Sequence, residues 1–268
     1  MSKVKRIMRA GRLRRVCTYS RATRYDNERA RAEKKKASSM AQQKINDRLS
    51  VMQLAGIIAL NFSDSKTAHF VTLTFDEAHY PKFAKASEYW NYCCKEADNY
   101  IKRLRRLARR RGQNPFTVYA PGLGDDGRWH IHVPIDGVTA EDIRDAWGRG
   151  NVDYHNLYTD KKYVSSKNWY SEADNVNPVA IAVYMVHNAR CRQVGKHPWH
   201  ASKNCLRPAF DKPVTIPDAE SIEPPEGSEI LDRGSTTTLY SSFEFIDYIL
   251  PQQEASYEDL FPDAYIDI

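Results

Sequence analysis

The 268-residue chain has few cysteines, and none of them stand at metal-finger spacing. Its five (Cys17, Cys93, Cys94, Cys191, Cys205) are odd in number and form no CxxC. That argues against a disulfide scaffold and a zinc ribbon, and for a reducing compartment. Long hydrophobic runs are also missing. The longest, Val51 to Leu60, is interrupted by Gln53 and falls well short of the ~20 residues of a membrane span. The basic N-terminus is followed by no apolar signal core, so the expectation is a cytoplasmic protein with no membrane contact. The phosphate-binding pattern GxxxxGK[ST] does not occur; Gly195-Lys196 has Arg190 where the first glycine would stand. No nucleotide cofactor and no built-in helicase motor are therefore expected.

Acidic residues are concentrated at one end. From Pro217 to Ile268 thirteen acids face the single base Arg233, a net −12, so an overall charge of +6 leaves +18 on residues 1–216. A body this basic implies a polyanionic partner, nucleic acid first. Hydrophobic residues make up 41% of the chain, enough for a core, and the mean hydropathy of −0.66 implies a polar surface.

Residues 1–36 are dominated by Lys and Arg, including Arg12, Arg14, Arg15 and the Lys34-Lys35-Lys36 run. They read as a flexible basic arm, or a helix ordered on a phosphate backbone. From Ser39 a helical pattern begins, with Ala41, Ile45, Leu49 and Met52 on one stripe. Residues 68–75 alternate as a strand. The longest predicted helix covers 86–111, with Cys93, Ala97, Ile101, Leu104 and Ala108 as its apolar stripe. Lys102, Arg103, Arg105, Arg106, Arg109, Arg110 and Arg111 crowd its C-terminal half, which suits the negative end of the helix dipole and phosphate contact. A hairpin follows, with arms at 115–120 and 128–135 around Asp126-Gly127. A short helix capped by Thr139, a strand over 151–158, and a helix from Asn177-Pro178 to about Ala189 complete the pattern. Strands with interposed helices and a hairpin predict an α+β fold, with helices packed on a central antiparallel sheet. The expected organisation is a basic, helical N-terminal arm and helix (1–65), a catalytic domain (66–212) and an acidic, partly disordered interaction tail (213–268).

Two stretches carry chemistry. In Trp129-His130-Ile131-His132-Val133, residues two apart on a strand share a face. His130 and His132 then project together, and paired neutral imidazoles are natural divalent-metal ligands. On the helix from Pro178, the spacing places Ile181, Tyr184, His187 and Asn188 on one side and Val179, Val183 and Val186 toward the other. A tyrosine between His and Asn on a polar face is a candidate nucleophile. With an ordinary pKa of about 10, it needs a base, and His187 one turn away is the candidate for that role or for a phosphate contact.

With these residues in place the chain resembles the rolling-circle replication initiators of small single-stranded DNA phages and plasmids, within the HUH endonuclease superfamily. The resemblance covers about residues 66–210 in five stations. They are Phe70-Val71-Thr72-Leu73-Thr74-Phe75-Asp76, Gly127-Arg128-Trp129-His130-Ile131-His132, Trp147-Gly148-Arg149-Gly150-Asn151-Val152, Ala182-Val183-Tyr184-Met185-Val186-His187, and Ser202-Lys203-Asn204-Cys205-Leu206-Arg207-Pro208. It implies an RRM-like nuclease core with the histidines on a central strand and Mg²⁺ or Mn²⁺ held by His130 and His132. It further implies that Tyr184 attacks an origin phosphate in single-stranded DNA, forms a 5′-phosphotyrosine link, and later rejoins the strand. The family's third ligand, a glutamate on the first hairpin arm, is missing from Tyr119-Ala120-Pro121-Gly122-Leu123-Gly124, leaving Asp125, Asp126 or water. The lysine expected three residues after the tyrosine is His187, and the place of a second tyrosine is Asn188.

The expected partners are single-stranded or origin DNA and a host's helicase and replication proteins, in a bacterial cytoplasm. Arg103, Arg106, Arg109, Arg110, Lys203 and Arg207 are the candidate DNA-binding residues, and Trp129, Trp199 and Tyr80 are candidate stacking platforms. The acidic tail has two readings: recruitment of a host helicase or clamp through Leu231, Phe243, Phe245 and Leu260-Phe261, or folding back on the basic arm as a DNA mimic. Two other functions are open, a non-catalytic DNA-binding protein with a degenerate site and a related relaxase or transposase.

Overall fold

The structure is a computed structural model, and it describes residues 2–20, 39–158, 176–189, 196–237 and 242–251. The chain divides into two units, Ser50–Leu206 and a second that joins Met1–Leu49 to Arg207–Ile268. The fold is α+β with antiparallel sheets.

The discontinuous unit is built on the two charged ends of the chain. Residues expected as a basic arm or helix form a β-hairpin instead, β1 (Ser2–Ala10) and β2 (Leu13–Ser20), joined at Gly11. Apolar and basic residues alternate here, and Val4, Met8, Leu13 and Val16 are buried. Period two is a strand pattern, and counting bases hides it. The acidic segment supplies β8 (Ala209–Phe210), β9 (Val214–Pro217), β10 (Glu229–Thr237) and β11 (Ser242–Ile249). In the sheet order β10-β11-β2-β1-β8, β11 is an interior strand paired to β2 along its length. The tail thus folds back on the basic end, and Asp247, Asp211 and Glu220 pair with Arg15, Arg9 and Lys5. Phe245 lies under the Arg15 guanidinium. Lys34–Lys36 and Leu260-Phe261 lie outside the described residues.

The helix α1 (Ser39–Asn61) leads from this unit into the other. Its buried residues are Leu54, Ala55, Ile57 and Ile58, whereas Leu49 of the expected stripe is half exposed. Among the described residues no helix is long and apolar enough to cross a membrane.

The Ser50–Leu206 unit is a five-stranded sheet in the order β6 (Val152–Asn156), β3 (His69–Thr74), β5 (Trp129–Asp136), β4 (Phe116–Leu123), β7 (His200–Ala201). The long helix α2 (Ala86–Arg109) covers one face. Val71 and Leu73 of β3 and Ile131, Val133 and Ile135 of β5 meet Trp90, Cys93, Ala97, Ile101 and Leu104 there. The short helix α3 (Ala140–Asp145) is capped by Thr139 and closes the same core with Ile143 and Trp147. Because side chains alternate across a strand, His130 and His132 are left on the opposite face.

Candidate active site

That opposite face is covered by the helix α4 (Pro178–Asn188), which begins at the cap Asn177, whose side chain accepts from the Ala180 amide. Its buried side is Val179, Ile181, Ala182, Met185 and Val186, while Val183 is half exposed and does not face the core as expected. Tyr184 and Asn188 are half-buried, and His187 is exposed. The spacing places Tyr184 and Asn188 correctly together. His187, about 60° round the helix from Tyr184, points away from the sheet.

The two histidines converge. Their Nε2 atoms are 2.9 Å apart. Each ring is held from behind: His130 Nδ1 is 3.3 Å from the Arg128 carbonyl, and His132 Nδ1 is 3.3 Å from Thr72 Oγ1. A carbonyl only accepts, so His130 carries its proton on Nδ1 and turns a lone pair inward when neutral. Thr72 is His132's register partner on β3, and Ala120 and Gly122 are the partners of His132 and His130 on β4. The Tyr184 ring centroid is 4.9 Å from that of His132 and 6.3 Å from that of Phe70. The phenol and the imidazole pair therefore share one pocket face. The pair's geometry fits a cation, since cis ligands at about 2.05 Å from a metal stand about 2.9 Å apart. Among the described residues no cluster of three His, Cys, Asp or Glu side chains exists. Asp126 is turned away to accept from the Arg128 amide.

Residues 68–169 match a family of replication-associated proteins, the one described by ORF2 and the gene-2 protein. The match supports a role in replication. It takes in β3, α2, the histidine strand and the turn after α3, but ends before α4, so the placing of Tyr184 rests on geometry alone. No curated protein and no solved structure matches the chain.

The turn inside the matched segment has a clear physical demand. Trp147 Nε1 donates to the Thr74 carbonyl at the end of β3, and the backbone at Arg149 and Asn151 bonds Asp76 and Thr74. Gly150 has φ +144°, and a Cβ there would lie 2.4 Å from both Thr74 O and Asp76 N. Backbone cannot yield as a side chain can, so Gly150→Ala is expected to cost about 3 kcal/mol. A melting temperature within a degree of wild type would contradict this.

The basic residues of α2 divide into structural and exposed groups. Arg103 donates to the carbonyls of Ala146 and Trp147, which caps α3, and Arg111 pairs with buried Asp142. Arg103 is thus engaged in the fold. Arg106, Arg109, Arg110, Lys203 and Arg207 are exposed. Trp129 and Trp199 are buried; Trp129 stacks on Tyr89, and Trp199 donates to the Ser50 carbonyl. Neither is a platform for bases. Tyr80 accepts from the Trp129 amide and lies under Arg128.

A cleft of about 690 Å³ opens at the β4–β7 edge on the α2 side, the face away from Tyr184. Arg105, Arg109, Lys196 and Lys203 line it, with Tyr119 stacked on His200. Burial pushes His200 down from its ordinary value and the Cys94 thiol up to about 11. The cleft offers fixed positive charge and no thiolate nucleophile. No pattern in the sequence joined α2 to the residues after 195, because their meeting is a product of sheet order.

Proposed function

We propose that the protein nicks single-stranded DNA by attack of the Tyr184 hydroxyl on a backbone phosphate, as the initiating step of replication. The observation that carries this reading is the 4.9 Å approach of the Tyr184 ring to His132 from a separate element. His130 and His132 are the residues to hold Mg²⁺ or Mn²⁺, which when bound would polarise the phosphate and neutralise developing charge. Tyr184 Oη forms a bond to phosphorus, the bond to the 3′ oxygen breaks, and that oxygen leaves as the 3′ hydroxyl. The phenol proton passes to a base, for which His187 one turn on is the chain's candidate. The resulting 5′-phosphotyrosine conserves the bond energy for later rejoining. Phe70, packed against both the Tyr184 and His132 rings, holds the phenol at a fixed height above the sheet.

A tyrosine on a rigid helix needs the phosphate splayed in line, which a single strand allows and a duplex resists. Arg106, Arg109, Arg110, Lys203 and Arg207 are the proposed backbone contacts. Neutralising Arg106, Arg109 and Arg110 together is expected to lower the slope of log affinity against log salt by about 2, at about 0.7 per phosphate lost. An unchanged slope would remove α2 from the interface. Host replication proteins, including a helicase to unwind the duplex, are the proposed protein partners, in a bacterial cytoplasm.

The test of the function is a labelled single-stranded origin oligonucleotide incubated with the chain and Mn²⁺. A protein–DNA adduct stable to denaturation is expected. A second reading, a DNA-binding protein that has lost cleavage, is favoured by the lack of a carboxylate beside the histidine pair among the described residues. It expects chelator-insensitive binding and no scission with any metal. A relaxase or transposase would use the same groups on a different DNA.

A further inference from the structure

We propose that Asn188 supplies, through Oδ1, the third protein donor to the divalent cation held by His130 and His132. The inference rests on the metal-assisted reading above and assigns a donor that neither the hairpin arm nor the turn provides.

The starting point is the inward face of the histidine pair. Two nitrogens 2.9 Å apart, each ring held through its other nitrogen, require a proton or a cation between them, since two lone pairs repel. The Asn188 side-chain amide lies 3.2 Å from His132 Nε2. It therefore borders the same point in space. The two ends of a carboxamide are exchanged by a half-turn of its terminal torsion, and the hydrogen-bond network decides which is inward. With the histidine pair sharing a proton, the NH₂ end donates to a lone pair. With a cation there, an N–H would point at positive charge, so the oxygen turns in. Amide oxygen is a hard donor of the kind Mg²⁺ and Mn²⁺ take.

Gly122 gives an independent reason. It is the register partner of His130 on β4. A Cβ built on it would lie 2.9 Å from His130 Nε2 and 3.1 Å from the Asn188 Cβ. A side chain at 122 would thus project into the space that Asn188 fills. The donor that β4 lacks is replaced, at the same place, by one delivered from α4. Ala120, opposite His132, offers a methyl group and no competing ligand.

Three neutral donors leave the full charge of the cation directed at DNA phosphate, whereas a carboxylate would cancel part of it. Cation affinity is then weaker and substrate attraction stronger. Asn188 also stands one turn from Tyr184, so nucleophile and cation are fixed by the same helix.

The experiment measures Mn²⁺ binding by the DNA-free full chain through the electron paramagnetic resonance signal of free Mn²⁺, alongside melting with and without the ion. Wild type is expected to bind and to melt higher with Mn²⁺. Asn188→Ala is expected to weaken binding about tenfold or more and to lose most of the Mn²⁺-induced rise, with the metal-free melting temperature kept. Asn188→Asp, nearly the same shape with a charged donor, is expected to bind more tightly than wild type. If Asn188→Ala binds as wild type does while His132→Ala does not, the Asn188 assignment is overturned and the histidine site stands. If Asn188→Ala melts lower without metal, the Asp variant decides: tighter binding supports the assignment, unchanged binding overturns it. A wild type that takes up no Mn²⁺ overturns both this inference and the metal-assisted reading.

Discussion

Tyr184→Phe is expected to lower formation of the covalent protein–DNA adduct by at least about a thousandfold, while binding of the single strand is retained. The substitution removes one oxygen and keeps the ring against His132 and Phe70, at 4.9 and 6.3 Å between centroids. Packing of α4 is undisturbed, because its buried side is Val179, Ile181, Ala182, Met185 and Val186. The readout is the shifted band of a labelled oligonucleotide on a denaturing gel with Mn²⁺ present. An adduct formed at the wild-type rate by the Phe variant would show that another side chain is the nucleophile. Of the sixteen tyrosines, Tyr100 and Tyr119 are poor alternatives: burial pushes both phenols well up, and they bond the Ile143 carbonyl and Asp98.

The second large effect concerns stability. Asp247→Ala is expected to cost the discontinuous unit about 3–5 kcal/mol, read as a lower urea midpoint. Asp247 on β11 receives both arms of the Arg15 guanidinium from β2, with 2% and 11% of the two side chains exposed. Removing the acid strands a buried cation between two central strands. Burial also raises the Asp247 carboxyl from its ordinary value of 3.8, and the Arg15 contact only partly opposes this. The folded state then holds the proton more tightly than the unfolded chain. The stability linked to it is complete below the ordinary aspartate value and declines as pH climbs through the raised one. Asp247→Asn, which does not titrate, should lack that decline. Midpoints of wild type and the Asn variant running parallel over about pH 3.5–6 would contradict burial as the dominant influence. The interior place of β11 also means that truncation after Pro213 removes β9, β10 and β11 from the sheet. A change in DNA binding on truncation would therefore report loss of fold as much as loss of a DNA mimic.

The Ser50–Leu206 unit is largely legible in the sequence because its elements are marked by local rules. Thr139 and Asn177 are side-chain caps, Asp126-Gly127 is a turn dipeptide, and the apolar stripe of α2 repeats at helical spacing. Each produces the expected element in nearly the expected place. At the charged ends the expectation fails for a physical reason. In residues 2–20 the charges dominate the composition, while the structural information is the alternation of Val4, Met8, Leu13 and Val16. Charge says what a segment repels and attracts; period says what it folds into. The same confusion of charge with role applies to Arg103, whose partners are two carbonyls more than forty residues away.

From the sequence alone came an α+β chain with a basic body, two histidines on one face of a strand, and a tyrosine and an asparagine on one face of a helix. Alternation and helical spacing are properties of the backbone and need no knowledge of the rest of the molecule. Only the tertiary structure decided that those two faces look at each other, that Asn188 sits over Gly122, and that the acidic end completes the sheet of the basic end. Those facts depend on strand order and on pairings across tens to hundreds of residues, which are set by how buried faces fit together and leave no local trace in the order of amino acids.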